Sequence, residues 1–145
     1  MTMTHATSIP RAAGLLGFAG LVPFAAASLA AMLPGTLAPD LALRALLAYG
    51  AVILSFLGGI RWGLAMAEGD AGALLARLGF SVLPSLLGWS ALLLPVAPGL
   101  ALLATGFAVM LWADRRVAFA PAWYPRLRLP LSLGAMGALL LGLFA

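Results

Sequence analysis

The feature that most constrains this chain is the recurrence of apolar runs long enough to cross a lipid bilayer. Residues 46–60 contain no charged side chain, and similar apolar runs precede and follow them. A helix needs about 20 such residues to cross the hydrocarbon core. Because 64% of the residues are hydrophobic and only 8% are charged, too few polar side chains remain to cover a water-soluble surface. The sequence therefore predicts an integral membrane protein.

Turn signals divide the chain into five predicted helices. Pro34-Gly35 and Pro39-Asp40 separate the first two, and further turns rich in glycine or proline follow the second and third. The first run is longer than the roughly 7–15 residues of a signal-peptide core, so we interpret it as a membrane helix. The expected fold is a single membrane domain, an all-α bundle of five transmembrane helices. The predicted helices cover residues 12–33, 41–67, 74–95, 98–113 and 129–145, and an interfacial loop rich in arginine and aromatic residues covers 114–128.

The arginines predict how this bundle lies in the membrane. Besides one histidine the chain has eight basic residues, all of them arginine. With a cytoplasmic N-terminus, Arg44 alone would lie on the far side. Six would lie on the cytoplasmic side: Arg11, Arg77, Arg115, Arg116, Arg126 and Arg128. Since cytoplasmic loops carry the excess of positive charge, we predict a cytoplasmic N-terminus and a periplasmic C-terminus.

The composition argues against several classes of protein. The chain has no cysteine, which excludes disulfides and thiolate catalysis. No cluster of side chains suits a metal ion, no glycine-rich loop suits a phosphate, and the arginines form no stripe for nucleic acid. We therefore expect no metal, no cofactor, no nucleic-acid partner and no enzymatic activity. The absence of Lys, Asn and Gln indicates GC-rich coding, from which we expect a protein of a bacterial inner membrane.

Small residues recur every four positions along the second predicted helix. Ala51, Ser55, Gly59 and Gly63 include one Gly-xxx-Gly motif, which permits close contact between helices. We predict that this stripe packs against another helix of the same chain; a contact between two copies of the chain is the alternative. Pro84 in the third predicted helix is expected to kink that helix and to shape its packing.

Arg61 is the one charge inside the apolar run of the second predicted helix. A charge at this depth requires a partner or a route to water. Helical side chains tilt toward the helix N-terminus, and in the predicted topology this tilt points Arg61 toward the bilayer centre, which disfavours simple snorkelling. The ion-pair candidates are Glu68, Asp70 and Asp114, with carbonyl groups near Pro84 as a further option. A ligand at this place would be contacted by Arg61, Trp62, Glu68, Asp114, Ser81 and Ser85.

Several of these motifs together resemble one protein family. They are the segment 49–63 (YGAVILSFLGGIRWG), the residues Ser81, Pro84, Ser85 and Trp89, then Asp114, and finally the segment 123–128 (WYPRLR). In these motifs the chain is similar to the domain of unknown function 3429 family, which includes bacterial membrane proteins and transmembrane protein 69-like proteins of eukaryotes. The match extends over the second to fifth predicted helices. The resemblance implies a multi-helix membrane protein and no settled activity.

The leading hypothesis from the sequence is a small non-catalytic membrane protein that serves as an accessory or assembly component of a membrane complex. Its expected partners are the lipid bilayer and other membrane proteins or a second copy of the chain. The alternative is a small transporter, channel or lipid- or quinone-binding protein with a cavity around Arg61. The two hypotheses differ in what Arg61 contacts. A carboxylate of the chain favours the first, and a molecule from outside the chain favours the second.

Overall fold

A computed structural model describes residues 8–35, 38–117 and 120–145. These residues form six helical segments joined by short turns. The segments are α1 (Arg11–Ala19), α2 (Val22–Met32), α3 (Pro39–Glu68), α4 (Leu74–Leu93), α5 (Val96–Asp114) and α6 (Tyr124–Leu143). Because α1 and α2 together form one apolar span, the described residues contain five helical spans long and apolar enough to cross a membrane. The predicted all-α fold with five spans is confirmed, and its orientation in the membrane stays a prediction.

The fifth span begins earlier than the sequence predicts. α6 starts at Tyr124, five residues before the predicted start at residue 129. Pro125 occupies an early helical position, where the N–H group that proline lacks would have had no partner in any case. Pro130, which the prediction placed in the first turn, lies inside the helix. The loop before α6 is therefore shorter than the predicted 114–128, and its residues 118 and 119 lie outside the described residues.

The first span is broken between α1 and α2. Pro23 has no N–H group to bond the carbonyl of Ala19, and its ring disfavours a regular helix before it. At the break, the Tyr49 hydroxyl donates a hydrogen bond to the Gly20 carbonyl at 2.8 Å. α2 packs against α3 and α6, whereas α1 contains no fully buried residue. The break therefore separates a packed segment from one that lies loosely on the bundle.

α3 is the helix around which the other spans pack. It contacts α2, α4, α5 and α6, and its 30 residues extend over about 45 Å at 1.5 Å per residue. Phe24 meets the rings of Tyr49 and Phe107 edge-on, at centroid distances of 4.9 and 6.0 Å, an arrangement that aromatic pairs prefer. The largest fully buried apolar side chains include Phe24, Leu46, Leu54, Leu100, Leu103, Phe107 and Leu139. This core fixes α3, and with it the position of Arg61.

α3 and α4 cross at a seam of small residues. A Cβ atom on Gly58 would lie 2.4 Å from the Ser81 carbonyl oxygen, and one on Gly88 would lie 2.9 Å from the Ala51 carbonyl oxygen. Pro84 and Ser55 also lie at this seam, each with an atom 3.4 Å from one of these two Cβ positions. The two backbones are therefore in direct contact, which only residues without a side chain permit.

Gly59 and Gly63 lie outside this seam. A Cβ atom on either would meet no other atom within 4 Å, which corrects the predicted packing of these two glycines within the chain. The reason is helical geometry. Four residues turn a helix by about 400°, so a stripe with this spacing drifts by about 40° at each step. Gly58, three residues after Ser55, stays beneath α4 where Gly59 does not.

The seam predicts opposite effects for two neighbouring glycines. Gly58→Ala should lower the free energy of unfolding by about 1–3 kcal/mol, the usual cost of overpacking, because its Cβ would meet a carbonyl oxygen that moves only if α4 moves. Gly59→Ala is the matched control and should be neutral or stabilising by up to about 1 kcal/mol, because alanine favours helix over glycine. Denaturant unfolding in mixed micelles measures both. Equal destabilisation by the two variants would contradict the seam.

Candidate functional site

Asp114, the last residue of α5, is the centre of a buried charge network. Its side chain is 1% exposed, and each carboxylate oxygen accepts a hydrogen bond from a different arginine. Arg61 Nη1 on α3 donates to Oδ1 at 2.7 Å, and Arg128 Nε on α6 donates to Oδ2 at 2.9 Å. Both distances are those of charge-assisted hydrogen bonds. One carboxylate therefore ties together the same-side ends of three spans.

Arg61 reaches Asp114 from the edge of the bundle. Its side chain remains 17% exposed, and its guanidinium carbon lies 4.6 Å from the centre of the Phe80 ring on α4, within the range of a cation–π contact. Of the partners proposed from the sequence, Asp114 is the one that Arg61 contacts. By the criterion stated above, this contact favours an architectural use of the arginine.

Arg128 is more deeply buried than Arg61. Its side chain is 6% exposed, and it lies one turn after the buried Tyr124. Neither Arg128 Nη2 nor the Tyr124 hydroxyl makes a hydrogen bond of normal geometry with any described residue. The two side chains nevertheless lie close enough to interact directly with each other, and both lie near Asp114. A buried polar group without a partner is costly, so these two atoms call for an explanation.

Glu68 does not contact Arg61. It forms an ion pair with Arg77 near the start of α4, and Arg77 Nη2 also lies 3.5 Å from Asp70 Oδ2. All three side chains are between 29 and 50% exposed. This second cluster therefore consists of surface ion pairs, which contribute little to stability.

The remaining predicted site residues do not converge on Arg61. Trp62 is 45% exposed on the outer surface of the bundle. Ser81 is buried, and its hydroxyl donates to the Leu78 carbonyl at 2.6 Å. Ser85 is half-buried on α4. The structure thus brings together Arg61 and Asp114, places Glu68 at the rim, and leaves the tryptophan and the two serines outside the network.

Two cavities lie on either side of the network. The rim cavity has a volume of about 380 Å³. Its lining includes Arg61, the surface charges Glu68, Arg77 and Arg116, and the rings of Phe80 and Trp112. The apolar cavity, of about 490 Å³, has Tyr124 and Arg128 at one end and aliphatic or aromatic side chains elsewhere. Arg61 therefore borders the first cavity and Arg128 the second, while Asp114 holds both arginines.

Sequence reasoning missed the roles of Arg128 and Tyr124. The predicted helix start at residues 129–130 places both residues in the interfacial loop. Pro125 was an equally good start signal. With a start at Tyr124, Arg128 falls one turn into the helix, at the same membrane depth as Asp114, and the pairing becomes predictable.

The fold and the network define a polytopic α-helical membrane protein with a buried arginine–aspartate–arginine cluster. The chain belongs to the family described as "Protein of unknown function (DUF3429)", whose model matches residues 9–144. It is similar to Transmembrane protein 69 of Xenopus tropicalis, with 39% identity over 134 residues, which make up 90% of this chain and 53% of that protein. It is also similar to Transmembrane protein 69 of Mus musculus, with 39% identity over 93 residues, 63% of this chain and 38% of that protein.

The chain spans about half the length, or less, of these two relatives. No solved structure matches it. Both the family and the relatives support a membrane protein, as the sequence predicts.

The network predicts unequal effects for its members. Asp114→Asn leaves two guanidiniums without a counter-charge in a site with little access to water, and should lower the free energy of unfolding by about 3–5 kcal/mol. Arg61→Leu should cost clearly less, because Arg128 still neutralises Asp114. Denaturant unfolding in mixed micelles again provides the measurement. Glu68→Gln is the control for a surface pair and should stay within about 1 kcal/mol. Similar losses for Asp114→Asn and Arg61→Leu would show that Asp114 is not the shared partner.

Proposed function

We propose that this protein is a non-catalytic inner-membrane component that docks against a transmembrane helix of another protein, as an accessory or assembly subunit of a membrane complex. The observation that carries the proposal is the open face of α3. Gly59 and Gly63 lie one turn apart on it; both are exposed, and a Cβ on either would meet no atom of the described chain within 4 Å.

Glycine at such positions needs a reason. Each glycine costs a helix about 1 kcal/mol relative to alanine, and within the described chain no neighbour of Gly59 or Gly63 would exclude an alanine side chain. Two small residues with this spacing form a shallow groove that lets a second helix approach closely in a membrane. Large side chains on either side of the groove, Phe56 and Trp62, are exposed to the bilayer and would add apolar contact area to a docked helix.

The charge network supports the non-catalytic part of the proposal. Arg61 and Arg128 are both hydrogen-bonded to Asp114, so the buried charges hold the helices of this chain together. A guanidinium offers only donors, so it is a poor candidate for a general base. We propose the bacterial inner membrane as the location, with the N-terminus in the cytoplasm, because the loops at one end of the bundle carry most of the arginines.

Docking predicts that large side chains at the groove abolish a complex. Gly59→Leu and Gly63→Leu should remove a co-purifying membrane protein from the native preparation, because the partner helix can no longer approach. Gly137→Leu on α6 is the matched control, since a Cβ there also meets no atom within 4 Å, and it should leave the complex intact. Native gels and mass spectrometry of the purified protein measure the outcome. A strictly monomeric wild-type protein without a partner would refute the proposal.

A second candidate function is transport or ligand binding at Arg61. The observation in its favour is the rim cavity, which reaches Arg61 and is lined by two further arginines, Arg77 and Arg116. A small transporter, channel or lipid- or quinone-binding protein would need this cavity to be open to its substrate. The function of such a protein would not depend on Gly59 or Gly63.

Single cysteines test both this cavity and the proposed orientation, because the chain has no native cysteine. Val117→Cys lies in the lining of the rim cavity at a half-buried position, and Val52→Cys on the outer surface of α3 is the control in the hydrocarbon region. If the cavity is open to the cytoplasm, a membrane-impermeant maleimide should label Val117→Cys in inverted vesicles and not in right-side-out vesicles or at Val52→Cys. Labelling from the periplasmic side would refute the orientation, and absence of labelling from either side would remove the second candidate.

A further inference from the structure

The apolar cavity has the dimensions of one lipid chain within one leaflet. Its lining on α3 extends from Ile53 to Leu64, and its lining on α6 from Tyr124 to Ala135. Each stretch covers about 16 Å at 1.5 Å per residue, close to half of the roughly 30 Å hydrocarbon core. A volume of about 490 Å³ lies within the roughly 300–1,000 Å³ range of small-molecule sites. The cavity is elongated along the helices, as a chain-like ligand requires.

The polar groups of this cavity are confined to one end. Among the described residues that line it, Arg128 carries the only charge, and Tyr124 and Trp123 supply the only other polar side-chain groups. Arg128 and Tyr124 belong to the first two turns of α6, at the end of the bundle where Asp114 lies. The lining residues farther along the helices, including Phe24 and Ala135, are apolar. The cavity therefore matches the polarity of an amphiphile, with one polar end and a long apolar body.

The polar end contains hydrogen-bonding capacity that the chain does not fully use. Arg128 Nη2 and the Tyr124 hydroxyl are both buried and lie near each other. Even a contact between them leaves a donor on each, because Nη2 carries two N–H groups and the hydroxyl can donate as well as accept. The guanidinium is held by Asp114 through Nε, which leaves Nη2 as a fixed donor. A fixed guanidinium donor beside a phenol matches an acceptor that carries several oxygens, such as a phosphate or a carboxylate.

Charge balance indicates that this acceptor is an anion. The network contains two guanidiniums and one carboxylate, so it carries one net positive charge. Arg61 can share its charge with the Phe80 ring and the more open rim, whereas Arg128 is almost fully buried. The start of α6 also adds the partial positive charge of a helix N-terminus. An oxyanion beside Arg128 Nη2 would neutralise the excess.

We infer that the apolar cavity binds one acyl chain of an anionic membrane amphiphile, whose oxyanion accepts hydrogen bonds from Arg128 Nη2 and the Tyr124 hydroxyl. The oxyanion is a phosphate if the amphiphile is a phospholipid and a carboxylate if it is a free fatty acid. The acyl chain fills space in which the lining side chains otherwise lack contacts. Phe56 borders both this cavity and the groove, but neither Gly59 nor Gly63 lines the cavity. Loss of partner docking in the glycine variants and loss of lipid in the cavity variants are therefore separate results.

The experiment compares lipids bound to the wild type and to three variants after purification in mild detergent. Ala13→Phe places a ring in the cavity that Ala13 lines, on the loosely packed α1. Ala12→Phe is the matched control, because the neighbouring Ala12 is exposed and does not line the cavity. Tyr124→Phe removes the hydroxyl alone and leaves the ion pairs intact. Thermal unfolding midpoints establish that each variant is folded.

Lipid extraction with mass spectrometry should find about one anionic amphiphile per wild-type chain and per Ala12→Phe chain. Ala13→Phe should retain at least tenfold less. Native mass spectrometry with added phosphatidylglycerol or palmitate distinguishes the two sources of the oxyanion, and Tyr124→Phe should weaken binding of the preferred one by about tenfold, since one hydrogen bond to a charged group is lost. Equal retention by Ala12→Phe and Ala13→Phe, preference for phosphatidylcholine or a neutral quinone, or no bound lipid in the wild type would overturn the inference.

Discussion

The structure depends on a single carboxylate that two arginines share. Asp114 ends α5, and its two oxygens bind Arg61 of α3 and Arg128 of α6. Burial of any one of these charges alone would be prohibitive in a membrane, so the three residues impose a common depth on three helix ends. Apolar side chains pack in many alternative registers within a bilayer, because lipid and leucine are equally apolar. The network selects one of these registers.

The glycines of α3 show that a shift of one position along a helix changes what a residue packs against. Gly58 lies beneath the backbone of α4, while Gly59, rotated by about 100°, has open space where a side chain would lie. The same helix thus has a face that closes the bundle and a face that is open to the bilayer. The seam accounts for the first face. Docking of another helix is the use we propose for the second.

The sequence was sufficient to predict five apolar spans and the need of Arg61 for a partner, because both follow from the properties of a bilayer. It named Asp114 among several candidates and could not choose, since the choice depends on how α3 and α5 are rotated. Arg128 was missed for a more local reason. Pro125 and Pro130 both suit the start of a helix, and the choice between them decides whether Arg128 lies in a loop or faces Asp114. The difference between Gly58 and Gly59 likewise depends on a crossing angle that a four-residue pattern does not contain.

The ratio of two arginines to one aspartate links the structural role of the network to its proposed role in binding an anion. One carboxylate can accept from two arginines and so hold three helices, but it neutralises only one of them. A one-to-one pair would have balanced the charge and left no net attraction for an anion; a second carboxylate would have repelled one. With two arginines to one aspartate, the arrangement that fixes the helices also leaves a positive charge and an unused donor, Arg128 Nη2, at the mouth of an apolar cavity. An architectural site and a binding site are therefore not alternatives in this protein, because the feature that serves the first creates the conditions for the second.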